Sequence, residues 1–127
     1  MRASAVVSVL SSTLLLASVA SQAADPPTEP AAVAQAAIDQ AQRDGAAETA
    51  PVELKAAQDK IAEAKRLLEK NKRKDYPLAQ SLAEEATADA QLAQAKTAAA
   101  KAEKSLQDVQ EGNRTLQEEM LRPGARQ

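Results

Sequence analysis

The sequence contains no cysteine, histidine, tryptophan or phenylalanine, and Tyr76 is its only aromatic residue. Without cysteine there is no disulfide framework and no thiol nucleophile. Without histidine the commonest general base and metal ligand is missing. The sequence also lacks a glycine-rich phosphate loop and a G-x-S-x-G motif. We therefore expect a protein that is not an enzyme, holds no metal or other cofactor and takes no small-molecule substrate.

An excess of one charge is also missing. The chain has 16 basic and 18 acidic side chains, which gives a formal net charge of −2. The two signs are interspersed along the chain, whereas a nucleic-acid-binding protein concentrates positive charge on one face. We expect no nucleic-acid partner.

Large apolar side chains are scarce, although 44% of the residues are hydrophobic. Most of that fraction is alanine, which has a single methyl group to bury, whereas a buried Leu or Ile contributes about 1.5–3 kcal/mol. Alanine, leucine, lysine, glutamate, glutamine and arginine are also the strongest helix formers. The composition predicts an all-α protein with a thin core and closely approaching helices.

Residues 1–23 are typical of a secretory signal peptide. Arg2 supplies the positive start, an uncharged apolar run follows, and Ser21-Gln22-Ala23 fits a small-x-small cleavage site. We expect cleavage near Ala23 and a periplasmic mature protein. An uncleaved membrane anchor is the alternative, but the run is short for a span of about 20 residues and is interrupted by serine and threonine.

Two helices can be placed after a proline-rich lead-in at residues 24–30. The first is capped by Thr28 and stopped by Gly45 in a left-handed conformation, and the second begins at Pro51 after a loop and ends near Asn71. The first has an apolar stripe of Ala31, Ala34, Ile38 and Ala41. The stripe of the second contains Leu54, Ala57, Ile61, Ala64 and Leu68, widened by Val52 and Leu67.

A third helix starts at about Pro77, because proline disfavours helical geometry at the preceding residue, Tyr76. From Leu92 its three-four spacing is strict and predicts one heptad seam: Leu92, Ala95, Ala99, Ala102, Leu106, Val109, Asn113, Leu116 and Met120. Residues 31–122 form the predicted alanine-rich helical domain. Residues 123–127 are expected to be a disordered tail.

The helix lengths predict the fold. A continuous third helix from Pro77 to Leu121 would span roughly 65 Å, and the second helix is about half as long. We predict a short first helix, a long antiparallel, coiled-coil-like helical hairpin, and a third helix that extends beyond its neighbours from about Lys101.

The extension carries the candidate partner-docking seam, defined as Leu106, Val109, Asn113, Leu116 and Met120. Another copy of the chain, giving a homo-oligomer, or a cell-envelope protein would be the partner. Asn113 falls at an a position, where a polar residue fixes register and oligomeric state. Alternatively, Gly112-Asn113 ends the helix and Asn113 caps a short final one. The sequence leaves both open.

A basic cluster of Lys70, Lys72, Arg73 and Lys74 is a candidate contact for an anionic surface such as lipid or lipopolysaccharide. We favour the alternative that these four cations lie at the C-terminal end of the second helix and complement its dipole. Membrane contact is therefore allowed by the sequence but not favoured.

Two further features favour ordinary structural roles. The carboxylates Glu84, Glu85 and Asp89 lie early in the third helix, where negative charge is common, and we expect no metal site there. Tyr76 is expected to cover the end of the bundle with its hydroxyl in water.

The stretch from Ala37 to Ala99 resembles an alanine-rich helical domain family of unknown function from bacterial envelope proteins. The resemblance lies in APVEL at 50–54, KIAEAKRLL at 60–68, DYPLAQSLAEEA at 75–86 and ADAQLAQAKTAA at 88–99. Members are often small lipoproteins or precede an OmpA-like peptidoglycan-binding domain. The resemblance implies a helical hairpin in the periplasm of a Gram-negative bacterium. It supplies no catalytic residues, and this chain has no lipoprotein cysteine.

Together these features predict a non-enzymatic periplasmic structural or interaction protein, a helical spacer or adaptor. The alternative is an amphipathic-helix protein that binds a membrane lipid or lipopolysaccharide surface. Against that alternative, the chain lacks interfacial aromatic residues and is not net basic.

Overall fold

A computed structural model describes residues 25–124, which form four α-helices and no strand. The helices are α1 (Thr28–Arg43), α2 (Ala46–Thr49), α3 (Pro51–Glu69) and α4 (Tyr76–Leu121), with a 3-10 turn at Arg73–Asp75. The all-α class and the long last helix are confirmed. The predicted signal peptide, its predicted cleavage site and residues 125–127 of the predicted tail lie outside the described residues.

The long helices α3 and α4 form an antiparallel hairpin, and α1 lies along both of them. Lys60 of α3 contacts Asp89 of α4 with 2.7 Å between Nζ and Oδ2, and Glu53 at the start of α3 pairs with Lys96 farther along α4. The side-chain amide of Gln94 donates to the Ala37 carbonyl at 2.9 Å, which ties α1 to α4. α4 is therefore the element that both other long helices share.

The core face of α4 is made almost entirely of alanine. Its buried residues are Tyr76, Ala79, Ala83, Ala86, Ala90, Ala93 and Thr97. Small side chains allow the axes of α1 and α3 to approach α4 closely, and larger side chains from those helices, above all Ile38, Leu54 and Ile61, occupy the remaining space. Packing of the larger side chains of α1 and α3 on the alanine face of α4 thus stabilises the fold.

The predicted stripes of α1 and α3 are largely confirmed. All four residues predicted for α1 are buried. On α3, Leu67 is buried and Leu68 is only half-buried, while Val52 is exposed. Leu67 and Leu68 are neighbours that both border the stripe, so the spacing alone could not choose between them.

The predicted phase of the α4 seam is wrong within the hairpin. Leu92 is 47% exposed, and Ala95, Ala99 and Ala102 are also exposed. The core instead uses Ala90, Ala93 and Thr97. The two sets have the same three-four spacing, but they differ by two residues and therefore lie on nearly opposite sides of the helix. Alanine occurs on both sides, so composition gave no means of choosing the buried one.

The helix ends combine confirmed and corrected expectations. Gly45 has φ +92°, the predicted left-handed conformation. Residues 46–49 form the short helix α2 rather than a loop. Thr28 is the first residue of α1 instead of its cap, and no side chain caps that end. Pro51 begins α3 as predicted.

The turn between α3 and α4 depends on Asn71 and Tyr76. Asn71 has φ +50°, and its amide donates to the Leu68 carbonyl at 2.9 Å, so it takes the place that glycine usually holds after a helix. Tyr76 is buried, and its hydroxyl donates to the side-chain oxygen of Asn71. The expectation of a water-exposed hydroxyl was wrong, because the short turn brings a side-chain acceptor within reach.

The alanine face can be tested by adding volume to it. Ala90→Leu places three extra carbons in the fully buried contact and should destabilise the protein by about 1–3 kcal/mol, measured as a lower melting temperature by circular dichroism. Ala98→Leu is the matched control, since Ala98 is exposed on the same helix and should change stability by less than about 0.5 kcal/mol. An Ala90→Leu protein as stable as the parent would contradict the close packing.

Candidate interaction surface on the overhanging helix

The hairpin core ends at Thr97. This side chain is buried, its Oγ1 lies 2.6 Å from Oγ1 of Thr49, and it donates to the Ala93 carbonyl at 2.8 Å. All buried side-chain polar atoms of the described residues have a hydrogen-bond partner. Thr97 and Thr49 therefore close the core with a satisfied polar contact at the point where α4 leaves the other helices.

Ion pairs border the core between α3 and α4. The hydrogen bond from Lys96 holds the pKa of the Glu53 carboxyl below its ordinary value. Lys60 contacts both Asp89, at 2.7 Å, and Glu85, at 3.2 Å, and hydrogen bonds to these carboxylates, first to Asp89, raise the Lys60 pKa. Glu85 and Asp89 thus connect α4 to α3. Residues 25–124 contain no group of acidic residues suited to a metal ion.

Beyond the core, α4 continues alone. Every residue from Lys101 to Leu121 is exposed, and at 1.5 Å per residue this overhang is about 30 Å long. The helix passes through Gly112 without a break, which decides between the two alternatives that the sequence left open. A methyl group added at Gly112 would meet no other atom within 4 Å.

The candidate seam follows one side of this overhang. Its apolar members are exposed by 56% at Leu106, 60% at Val109, 60% at Leu116 and 80% at Met120. Asn113 lies on the same side and is also exposed. No part of the described chain covers these five residues. Their docking role remains a prediction.

The seam points away from the hairpin core. If Leu106 is assigned to heptad position a, Thr97 falls at f, on the opposite side of the helix. The positions that continue the f side along the overhang are Lys104, Glu111 and Glu118, all charged and exposed. A longer α3 would therefore meet mostly polar and charged side chains there, and the seam requires a different occupant.

The basic cluster lies at the other end of the molecule. Lys70 follows the last residue of α3, Lys72 precedes the 3-10 turn, and Arg73 and Lys74 lie within it. All four side chains are exposed. None of the described helices combines the length and apolarity that crossing a membrane requires.

The sequence alone could not predict two contacts of α4, one with α1 and one with Thr49. Gln94 and Thr97 read as ordinary polar residues of a helix, yet one bonds to α1 and the other to Thr49. Both partners are far away in the sequence, so only the packing of the helices reveals the pairs.

The chain matches the model of one known protein family. The family model described as "Domain of unknown function (DUF4398)" matches residues 30–109, which include the whole hairpin and the start of the overhang. The chain belongs to this family. No match was found among curated proteins or among solved structures.

The overhang should become more stable when Gly112 is replaced. Alanine favours a helix interior by about 1 kcal/mol over glycine, and the site has room for the methyl group. Gly112→Ala should therefore slow amide exchange of the surrounding turns by roughly fivefold, measured by mass spectrometry, with no change in the hairpin. Gln107→Gly is the inverse control and should accelerate exchange. Unchanged exchange in Gly112→Ala would show that the overhang is not a continuous helix.

Proposed function

We propose that this member of the DUF4398 family is a non-enzymatic helical adaptor or spacer of the periplasm that docks through its overhang. The hairpin is the rigid body, and the overhang is the docking element. The single observation that carries the proposal is the exposed seam on a continuous helix with no neighbour in the described chain.

An exposed apolar stripe of this length needs an explanation. Single apolar residues are common on protein surfaces, whereas a contiguous stripe bordered by polar residues is typical of an interaction site. An amphipathic helix binds a partner through anchors at three-four spacing, and Leu106, Val109, Leu116 and Met120 have that spacing. The seam therefore fits a helix or a helical groove as its partner.

The shape supports a spacer role. α4 has 46 residues and is therefore about 70 Å long, with the overhang at one end and the basic turn at the other. Small side chains leave a slender body, and the sequence has neither histidine nor cysteine. The molecule is therefore long and has an exposed apolar surface at one end, which suits a spacer that binds a partner. These features give no support to a catalytic role.

The location is proposed from the first 23 residues. Their charged start, apolar run and small-x-small site are those of an export signal. The domain is then expected to lie in the periplasm, with an envelope protein or another copy as its partner.

Photocrosslinking in cells tests the docking role. A photoreactive amino acid at Leu116 should give higher-mass adducts in the periplasmic fraction, because this side chain lies in the seam. The same group at Glu118 is the matched control, since Glu118 lies two residues away on the charged side and should react much less.

Two results would contradict the proposal. One is equal, weak crosslinking at both positions. The other is salt-sensitive co-sedimentation of the purified protein with anionic liposomes, which would favour binding to a lipid surface instead.

A further inference from the structure

We infer that the occupant of the seam is a second copy of this chain, parallel and in register along α4 from Leu92 to Met120. This inference rests on the proposed docking role of the overhang and specifies its partner.

The exposed seam is longer than the overhang. Leu92, Ala95, Ala99 and Ala102 continue its heptad phase along the back of the hairpin helix, and all four are exposed. The surface from Leu92 to Met120 therefore covers about four heptads, or roughly 43 Å. The predicted heptad phase is wrong for the hairpin core, but it marks a second face of α4 that the hairpin does not use.

The hairpin body leaves this face accessible. α3 borders α4 on the side of Lys96, which pairs with Glu53, and α1 borders it on the side of Gln94, which bonds to Ala37. The core residues between them lie opposite the seam. Two copies joined back to back would carry their bodies on the outside, without competing for space.

The flanks of the seam suit a copy of itself. In a parallel pair, each g position meets the e position of the next heptad in the other chain. These pairs would be Gln91 with Lys96, Ala98 with Glu103, Ser105 with Gln110 and Gly112 with Gln117, so no like charges meet.

Most charges of the overhang lie away from the flanks of the seam, and four of them are paired within the same helix. Lys104 lies 3.3 Å from Asp108, and Arg114 lies 3.8 Å from Glu118, measured between the charged groups. The flanks between Leu92 and Met120 carry three charges, Lys96, Glu103 and Glu119, and none of them faces a like charge in a parallel, in-register second copy.

Asn113 decides the orientation. In a parallel, in-register pair it faces Asn113 of the second copy, and the two amides can hydrogen-bond. In an antiparallel pair that aligns Leu106 with Leu116, Asn113 would face Val109 and remain without a polar partner when buried. In this register the segment from Leu92 to Ala99 would also remain uncovered, because α4 of the second copy ends at Leu121. Both arguments favour the parallel arrangement.

Single-cysteine crosslinking tests the pair directly, since the chain has no cysteine of its own. The full chain carrying Leu106→Cys, expressed with its own leader, should form a disulfide dimer under mild oxidation. Leu92→Cys should do the same if the pair continues along the hairpin. Lys104→Cys is the control, because Lys104 lies on the opposite side of α4 and should form little dimer.

The same variants report orientation. A disulfide requires Cα atoms within about 7 Å, and in the antiparallel pair the two residues at 106 would be roughly 15 Å apart. Dimer formation by Leu106→Cys and Leu92→Cys, with a dimeric mass of the unmodified chain in sedimentation equilibrium, would support the proposal. Disulfides only between Leu106→Cys and Leu116→Cys chains mixed together would overturn the parallel arrangement.

A monomeric mass without crosslinking would overturn the second copy as partner. In that case the photocrosslinks at Leu116 separate the two proposals. A heterologous adduct there would retain the docking role with a different partner, whereas the absence of any adduct would remove both.

Discussion

The structure depends on the contact between the alanine face of α4 and the larger side chains of α1 and α3. Five alanines lie between Tyr76 and Thr97 on that face, and they let two helices lie close to a third. Each alanine buries little area, so the free energy of folding must come from many such contacts together with Ile38, Leu54 and Ile61. The small size of these side chains explains the slender shape of the body. The core ends where Thr97 meets Thr49.

An alanine face holds little information about register, because a shift by one turn of the helix presents a similar surface. Polar contacts supply that information at the edges, through Lys60 with Asp89, Lys96 with Glu53, and Gln94 with the backbone of α1. Their contribution varies with pH. Glu53 has a lowered pKa, so its contribution is present above the pKa of the unfolded chain and is lost as the pH falls through the folded value. Lys60 has a raised pKa, so its contribution is lost as the pH rises through the folded value.

The sequence predicted the elements better than their faces. Pro51 and Gly45 marked helix boundaries because each has a backbone restriction that acts locally. Pro77 lies in the first turn of α4, but Tyr76 before it has helical dihedral angles, so the restriction expected at Tyr76 was wrong. The stripes of α1 and α3 were found because a few larger residues stand among the alanines. On α4 the leucines of the predicted seam, Leu92, Leu106 and Leu116, lie off the core face, so they indicated the exposed side. The overhang followed from the lengths of the helices, but its continuity through Gly112 did not, since glycine is compatible with both a helix interior and a helix end.

The central claim is that α4 is one continuous helix and that nearly half of it, from Lys101 to Leu121, extends beyond the body. Pulsed electron spin resonance between labels at Ser81→Cys and Glu118→Cys tests it most directly, with unlabelled chain in excess so that labels on separate copies do not contribute. Both side chains are exposed, and the continuous helix places them about 55 Å apart. A narrow distribution near that distance is the expected result. A distribution centred near 40 Å or below would mean that the end of α4 turns back, and the account would be wrong.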